Sequence, residues 1–141
     1  MLTPYLSGVF LALAVGAFAM FIGLDRDRAF YPVLLIVFPG YYVLFAVMGG
    51  ATGALYVESI ITVAFVLIAS FGFRRSSWLV VAGLAAHGVL DLCHSSVVSN
   101  PGVPSWWPAF CLTYDLSAAA FLAWTLLRSP LLSKPRVGNV P

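Results

Sequence analysis

Five long apolar segments fill almost the whole chain, and this feature limits the possible folds most strongly. They run over residues 4–24, 29–50, 54–73, 78–99 and 108–127. A transmembrane helix needs about 20 mostly apolar residues, and in lipid its backbone groups must be satisfied within the helix. The segments therefore predict an all-α integral membrane bundle of five transmembrane helices. Residues 1–128 form its single domain, and residues 129–141 are predicted to be a flexible tail.

The charge content supports the same class. Seven Lys and Arg and five Asp and Glu make up only 9% of the residues, against about 25% in a soluble domain. The mean hydropathy is +1.01. A water-facing surface cannot be covered with so few charges, so the composition excludes a soluble globular fold, a disordered chain and a nucleic-acid binder.

The boundary between the second and third segments allows an alternative. Residues 49–53 read Gly-Gly-Ala-Thr-Gly, which is typical of a tight turn between antiparallel helices. The same residues can also form a bend within one interrupted helix. The chain would then have four spans with a re-entrant segment.

The basic residues predict the orientation. All seven Lys and Arg follow the first, third or fifth segment, and the turns after the second and fourth contain none. The positive-inside rule then places the N-terminus outside and the C-terminus, with its tail, in the cytoplasm. The expected location is the inner membrane of a bacterium.

Five titratable residues lie inside the apolar segments. An ionised side chain at the bilayer centre costs about 2.5–3.5 kcal/mol even on a lenient scale, and such residues usually mark functional sites. Three of them follow an i, i+4, i+7 spacing on the fourth segment, so they share one stripe of that helix. The five residues are Glu58, His87, Asp91, His94 and Asp115.

Counting helical rise from the turns places most of this set at one level in the outer half of the bilayer. Glu58 and Asp115 fall level with Asp91 and His94, while His87 lies deeper. Tyr41 and Tyr42 follow the Pro39-Gly40 break and reach the same layer. Together with Tyr114 they are the predicted substrate-contacting aromatic residues.

The leading hypothesis is a metal site. Imidazoles and carboxylates that converge in a dry pocket suit zinc, iron or copper, and helix bundles build such sites from facing side chains. Asp91, His94 and Asp115 are the expected first ligands. His87 is a further ligand or an orienting group, and Glu58 is a ligand or a general base.

Two other hypotheses remain open. In one, Glu58, Asp91 and Asp115 carry protons in a metal-free isomerase or cyclase that acts on a lipid-soluble, isoprenoid-like substrate. In the other, the polar groups only hold the bundle together, and the chain is an accessory subunit of a membrane complex or a homo-oligomer. Whether the chain is an enzyme is open at this stage.

Two resemblances are visible in the motifs. His87-Gly88-Val89-Leu90-Asp91-Leu92-Cys93-His94, with Pro104-Ser105-Trp106-Trp107-Pro108 after it, resembles a set of small bacterial multi-pass membrane proteins. That likeness implies that the fourth and fifth helices pair. The spacing of His87 and Asp91, with a carboxylate on another helix, also weakly resembles emopamil-binding-type sterol isomerases, which implies that Asp91 and Asp115 carry protons.

Overall fold

The computed structural model describes residues 2–26 and 28–128, and within these ranges the chain is helical with no strand. The predicted tail, residues 129–141, lies outside them. All five helices are long and apolar enough to cross a membrane, which confirms the predicted class, and each end lies within two residues of its predicted position. The helices are α1 Thr3–Ile22, α2 Phe30–Met48, α3 Thr52–Arg75, α4 Ser77–Val97 and α5 Trp107–Arg128.

Local sequence explains where the helices stop. Gly23 follows α1 in the left-handed region with φ of 83°, a conformation that glycine adopts without a Cβ penalty. Gly49 and Gly50 end α2, and α3 starts at Thr52, so the structure has two separate helices here and not a re-entrant segment. Ser76 alone separates α3 from α4, and its hydroxyl accepts a hydrogen bond from the backbone N–H of Trp78 at 3.3 Å.

The five helices form one bundle, with α1 at its edge. α3 packs against α2 and α4, α5 packs against α4, and α2 also reaches α4 and α5. α1 packs chiefly against α5 through a stripe of small buried residues that includes Gly8 and Gly16. A Cβ at Gly8 would overlap the Thr113 hydroxyl, so the small residue allows the close approach that membrane helices use for association.

The two ends of the bundle differ in charge. The basic end carries Arg26, Arg28, Arg74, Arg75 and Arg128, which are all the Lys and Arg residues that the structure describes. Here the Arg28 guanidinium donates two hydrogen bonds to the Ser77 hydroxyl, at 2.8 and 3.1 Å, and ties the α1–α2 turn to α4. The opposite, neutral end holds the α2–α3 turn and loop 98–106. That the basic end faces the cytoplasm stays a prediction.

Loop 98–106 folds tightly over the neutral end. Gly102 lies against the end of α2, where a Cβ would overlap the carbonyl of Phe45. A Cβ at Gly49 would in turn meet the Gly102 backbone at 2.7 Å. These two glycines let the loop reach α2, and the contact fixes the position of Asn100 over the interior of the bundle.

Candidate functional site

All five predicted titratable residues point into the bundle. None of them is more than 3% exposed: Glu58 1%, His87 1%, Asp91 3%, His94 3%, Asp115 0%. They come from α3, α4 and α5. The structure therefore removes all five from lipid, as the cost of an ionisable group in the bilayer demands.

His87, Asp91 and Asp115 form the first group, here called the aspartate cluster. His87 Nδ1 lies 2.6 Å from Asp115 Oδ2 and 3.4 Å from Asp91 Oδ2. α4 and α5 come this close because Gly88 carries no side chain: a Cβ there would lie 3.4 Å from the Asp115 Cβ and 3.1 Å from the Leu112 carbonyl oxygen. One ligand atom from each member of the cluster lies within 4.8 Å of the others.

Tyr42 on α2 holds one carboxylate of the cluster. Its hydroxyl donates a 2.6 Å hydrogen bond to Asp91 Oδ1. Among the described residues, Asp91 Oδ2 and Asp115 Oδ1 are buried and have no hydrogen-bond partner. Buried polar atoms are almost always paired, so two unpartnered carboxylate oxygens beside one imidazole indicate that the cluster has capacity for a further group.

His94 and Glu58 form a second group, the glutamate pair. His94 Nε2 lies 2.8 Å from Glu58 Oε1. The Asn100 amide donates to the same Glu58 oxygen at 3.0 Å and to the backbone carbonyl of Tyr42, also at 3.0 Å. The Tyr42 ring stacks on the His94 ring with 4.2 Å between centroids, so Tyr42 contacts both groups.

The grouping differs from the expected one in its histidine. Asp91, His94 and Asp115 are the first ligands that the sequence predicts, but His87 takes the place of His94 in the structure. His94 lies seven residues after His87, or about 10 Å along the helix axis. One carboxylate on α5 therefore cannot pair with both imidazoles, and His94 pairs with α3.

Of the three tyrosines predicted to contact a substrate, the structure brings Tyr42 to the polar groups. Tyr41 is 38% exposed, and its ring packs against Trp107 with 5.0 Å between centroids. Tyr114 is buried against Phe38, at 4.7 Å between ring centroids. Tyr41 and Tyr114 therefore pack with other aromatic residues.

Asn100 belongs to the site and is absent from the sequence prediction. In an Asn-Pro-Gly stretch, asparagine indicates a turn, and its Oδ1 does accept the Gly102 N–H at 3.3 Å. This turn leaves the amide nitrogen free to reach Glu58. The turn signal was thus visible in the sequence, but the second role of the same side chain was not.

A cavity of about 510 Å³ connects this region with the neutral end. It lies between α4, loop 98–106 and α5, and Tyr5 of α1 contributes to its wall. Asp91 of the aspartate cluster and His94 of the glutamate pair both line it. One residue of each group therefore borders this cavity.

Comparisons with protein-family models, with curated proteins and with solved structures give no match for this chain. The resemblance to small bacterial multi-pass proteins therefore stays an expectation. The geometry of the two polar groups and the cavity is the basis for assigning a function.

Replacing Asn100 with alanine tests how the loop supports the glutamate pair. We expect the free energy of unfolding to fall by about 1–3 kcal/mol, because the variant loses the hydrogen bonds to Glu58 and Tyr42 and leaves buried acceptors unpaired. Unfolding of the detergent-solubilised protein, followed by circular dichroism, measures this. Ser99→Ala, at the exposed neighbouring position, is the matched control, and equal stability of the two variants would contradict the proposed support.

Proposed function

We propose that this integral membrane protein binds one divalent transition-metal ion at the aspartate cluster. The observation that carries the proposal is the pair of buried oxygens, Asp91 Oδ2 and Asp115 Oδ1, which have no hydrogen-bond partner within the described ranges. They accompany an imidazole whose Nδ1 lies 2.6 Å from Asp115. A cation at this position would satisfy the two carboxylate oxygens that have no hydrogen-bond partner among the described residues.

Charge balance supports the same proposal. The buried interior holds three carboxylates and two imidazoles, and the described Lys and Arg residues all lie at the basic end. Even if both histidines are protonated, the third carboxyl group must either keep its proton or pair with a further cation. An unpaired buried charge is strongly destabilising, and a bound cation supplies the missing charge.

The donor set indicates which metals fit. One imidazole nitrogen and two carboxylate oxygens suit zinc or iron, with copper as a further candidate. Three protein ligands leave a coordination position open, which is the pattern of catalytic rather than structural zinc sites. Tyr42 orients Asp91 by its hydrogen bond at 2.6 Å, in the manner of the outer partners that fix metal ligands. A metal bound here can polarise a carbonyl or phosphoryl group or activate water.

Elemental analysis of the mildly purified protein tests the proposal. We expect about one equivalent of a single transition metal per chain in the wild type, and less than about 0.1 equivalent in Asp91→Asn/Asp115→Asn, because metal ligands must be deprotonated donors. Asp25→Asn at the basic end is the control and should keep the wild-type content. The proposal would be contradicted if the wild-type protein held less than about 0.1 equivalent of every transition metal.

A metal-free acid–base enzyme is the second candidate. Two hydrogen bonds favour it: Tyr42 to Asp91 at 2.6 Å and His87 to Asp115, also at 2.6 Å. They place proton donors and acceptors side by side in a buried network, as isomerisation or cyclisation of a lipid-soluble, isoprenoid-like substrate requires. The metal content of the wild type distinguishes the two candidates, since this chemistry needs no ion.

A further inference from the structure

We propose that the cavity at the neutral end binds an uncharged single-chain amphiphile with a hydroxyl head, which enters from the lipid between α4 and α5. The proposal rests on the proposed site for its polar end, because Asp91 belongs to the aspartate cluster and to the cavity wall. A hydroxyl and a metal ion would share Asp91 Oδ2, so labelling and metal content are measured together. The location, the charge and the size of the cavity each support it.

The location of the cavity gives access from the bilayer. Leu92 is 71% exposed and lies five residues before the end of α4 at Val97, so its side chain faces lipid within the span. The same residue lines the cavity, together with Leu112 of α5. The cavity therefore reaches the lipid-facing surface at the seam between α4 and α5.

The charge of the lining selects the head group. Among the described residues that line the cavity there is no Lys or Arg, and Asp91 is the one acidic residue. An anionic head such as a fatty-acid carboxylate would find no Lys or Arg among these residues, and the one imidazole in the lining, His94, already pairs with Glu58 at 2.8 Å. Burying an uncompensated charge is costly. A cationic head would have to pass through hydrocarbon, where an ionised group is disfavoured. An uncharged head avoids both costs.

A hydroxyl fits the polar groups that the cavity offers. It can donate to a carboxylate oxygen and accept from a serine hydroxyl at the same time. Asp91 is 3% exposed, and within the described residues its Oδ2 has no hydrogen-bond partner. Ser95 lies one turn farther along α4 and also lines the cavity. The head group is therefore placed between Asp91 and Ser95.

The remaining wall and the volume suit a short hydrocarbon chain. Val98, Val103 and Leu112 supply apolar surface. A volume of about 510 Å³ lies within the range of small-molecule pockets. At about 30 Å³ for each water-sized group, it has room for roughly 15 non-hydrogen atoms, which matches a dodecanol that carries a photoreactive diazirine.

Photolabelling with this probe tests the proposal on the full chain in lipid nanodiscs. We expect the diazirine dodecanol to label peptides that contain residues of α4 and α5 around the cavity, and Leu92→Trp to reduce the labelling at least fivefold, because the indole fills the opening. Leu112→Trp places an indole in the cavity itself and should reduce the labelling by the same factor. Leu127→Trp, at a position 72% exposed on the basic end of α5, is the matched control and should leave labelling unchanged.

Probe chemistry tests the head group. The same chain ending in a sulfonate or a trimethylammonium group should label the cavity at least fivefold less than the alcohol. Labelling that is spread evenly over all helices, that survives Leu92→Trp, or that is as strong with either ionic probe would overturn the proposal. Metal content is measured in the same samples, so labelling without metal separates failure of the metal site from failure of the cavity.

Discussion

Replacing His87 with alanine is expected to abolish metal binding, with a fall from about one equivalent per chain to less than about 0.1. His87 Nδ1 lies between the two aspartates, at 2.6 and 3.4 Å from their oxygens, and is the nitrogen donor of the cluster. His94→Ala should keep metal content within about twofold of the wild type, because larger losses are expected only for residues that bind the metal or directly orient a ligand. Its ring pairs with Glu58 at 2.8 Å and is not a member of the cluster.

The two histidine variants change residues in similar surroundings. Both residues are buried on the same helix, and each pairs with a carboxylate of a neighbouring helix. Each variant removes the imidazole partner of one buried carboxylate. Equal loss of metal in both variants, with both still folded by circular dichroism, would contradict the assignment of His87 over His94.

Among substitutions that add one methyl group at the neutral end, Gly102→Ala is expected to lower the stability of the protein most. The new Cβ would overlap the carbonyl of Phe45, which is backbone and cannot rotate away. Loop 98–106 must then move off α2 and take the Asn100 hydrogen bonds with it. We expect the free energy of unfolding to fall by about 3 kcal/mol, at the upper end for overpacking of a dense interior.

Gly53→Ala provides the control for this prediction, measured by the same detergent unfolding experiment. Nothing lies within 4 Å of a Cβ at Gly53, and the residue is already helical in α3. This variant should be unchanged or more stable by up to about 1 kcal/mol, since alanine restricts the unfolded chain. If Gly102→Ala has the same free energy of unfolding as the wild type, the loop does not depend on the contact between Gly102 and Phe45.

The five helices could be predicted from sequence because the lipid phase leaves few choices. A bilayer sets the length of each span, and its lack of water demands helices. The same constraint explains why the burial of residues such as Glu58 and Asp115 followed from their positions. Any titratable group inside a span must face the interior of the bundle.

The pairing within the site could not be predicted in the same way. The spacing of residues on α4 gives their directions about that helix, but it contains no information on how α3 and α5 are rotated or shifted against it. The site therefore pairs Asp115 with His87 and not with His94, although the count of helical rise placed Asp115 level with His94. The sequence also does not tell which of Tyr41 and Tyr42 faces the cluster. Their side chains differ by about 100° in direction around the helix, so only one of them can do so.

The distribution of the polar groups over α3, α4 and α5 also determines the order in which the chain can be assembled in a membrane. Synthesis proceeds from the N-terminus, so Glu58 enters the bilayer before its partner His94 has been made. α4 then arrives with the lowest mean hydropathy of the five, 1.3 against 2.1 for α3, and its His87 must wait in turn for Asp115. The buried polar groups of α3 and α4 therefore gain their partners only when the next helix has been made.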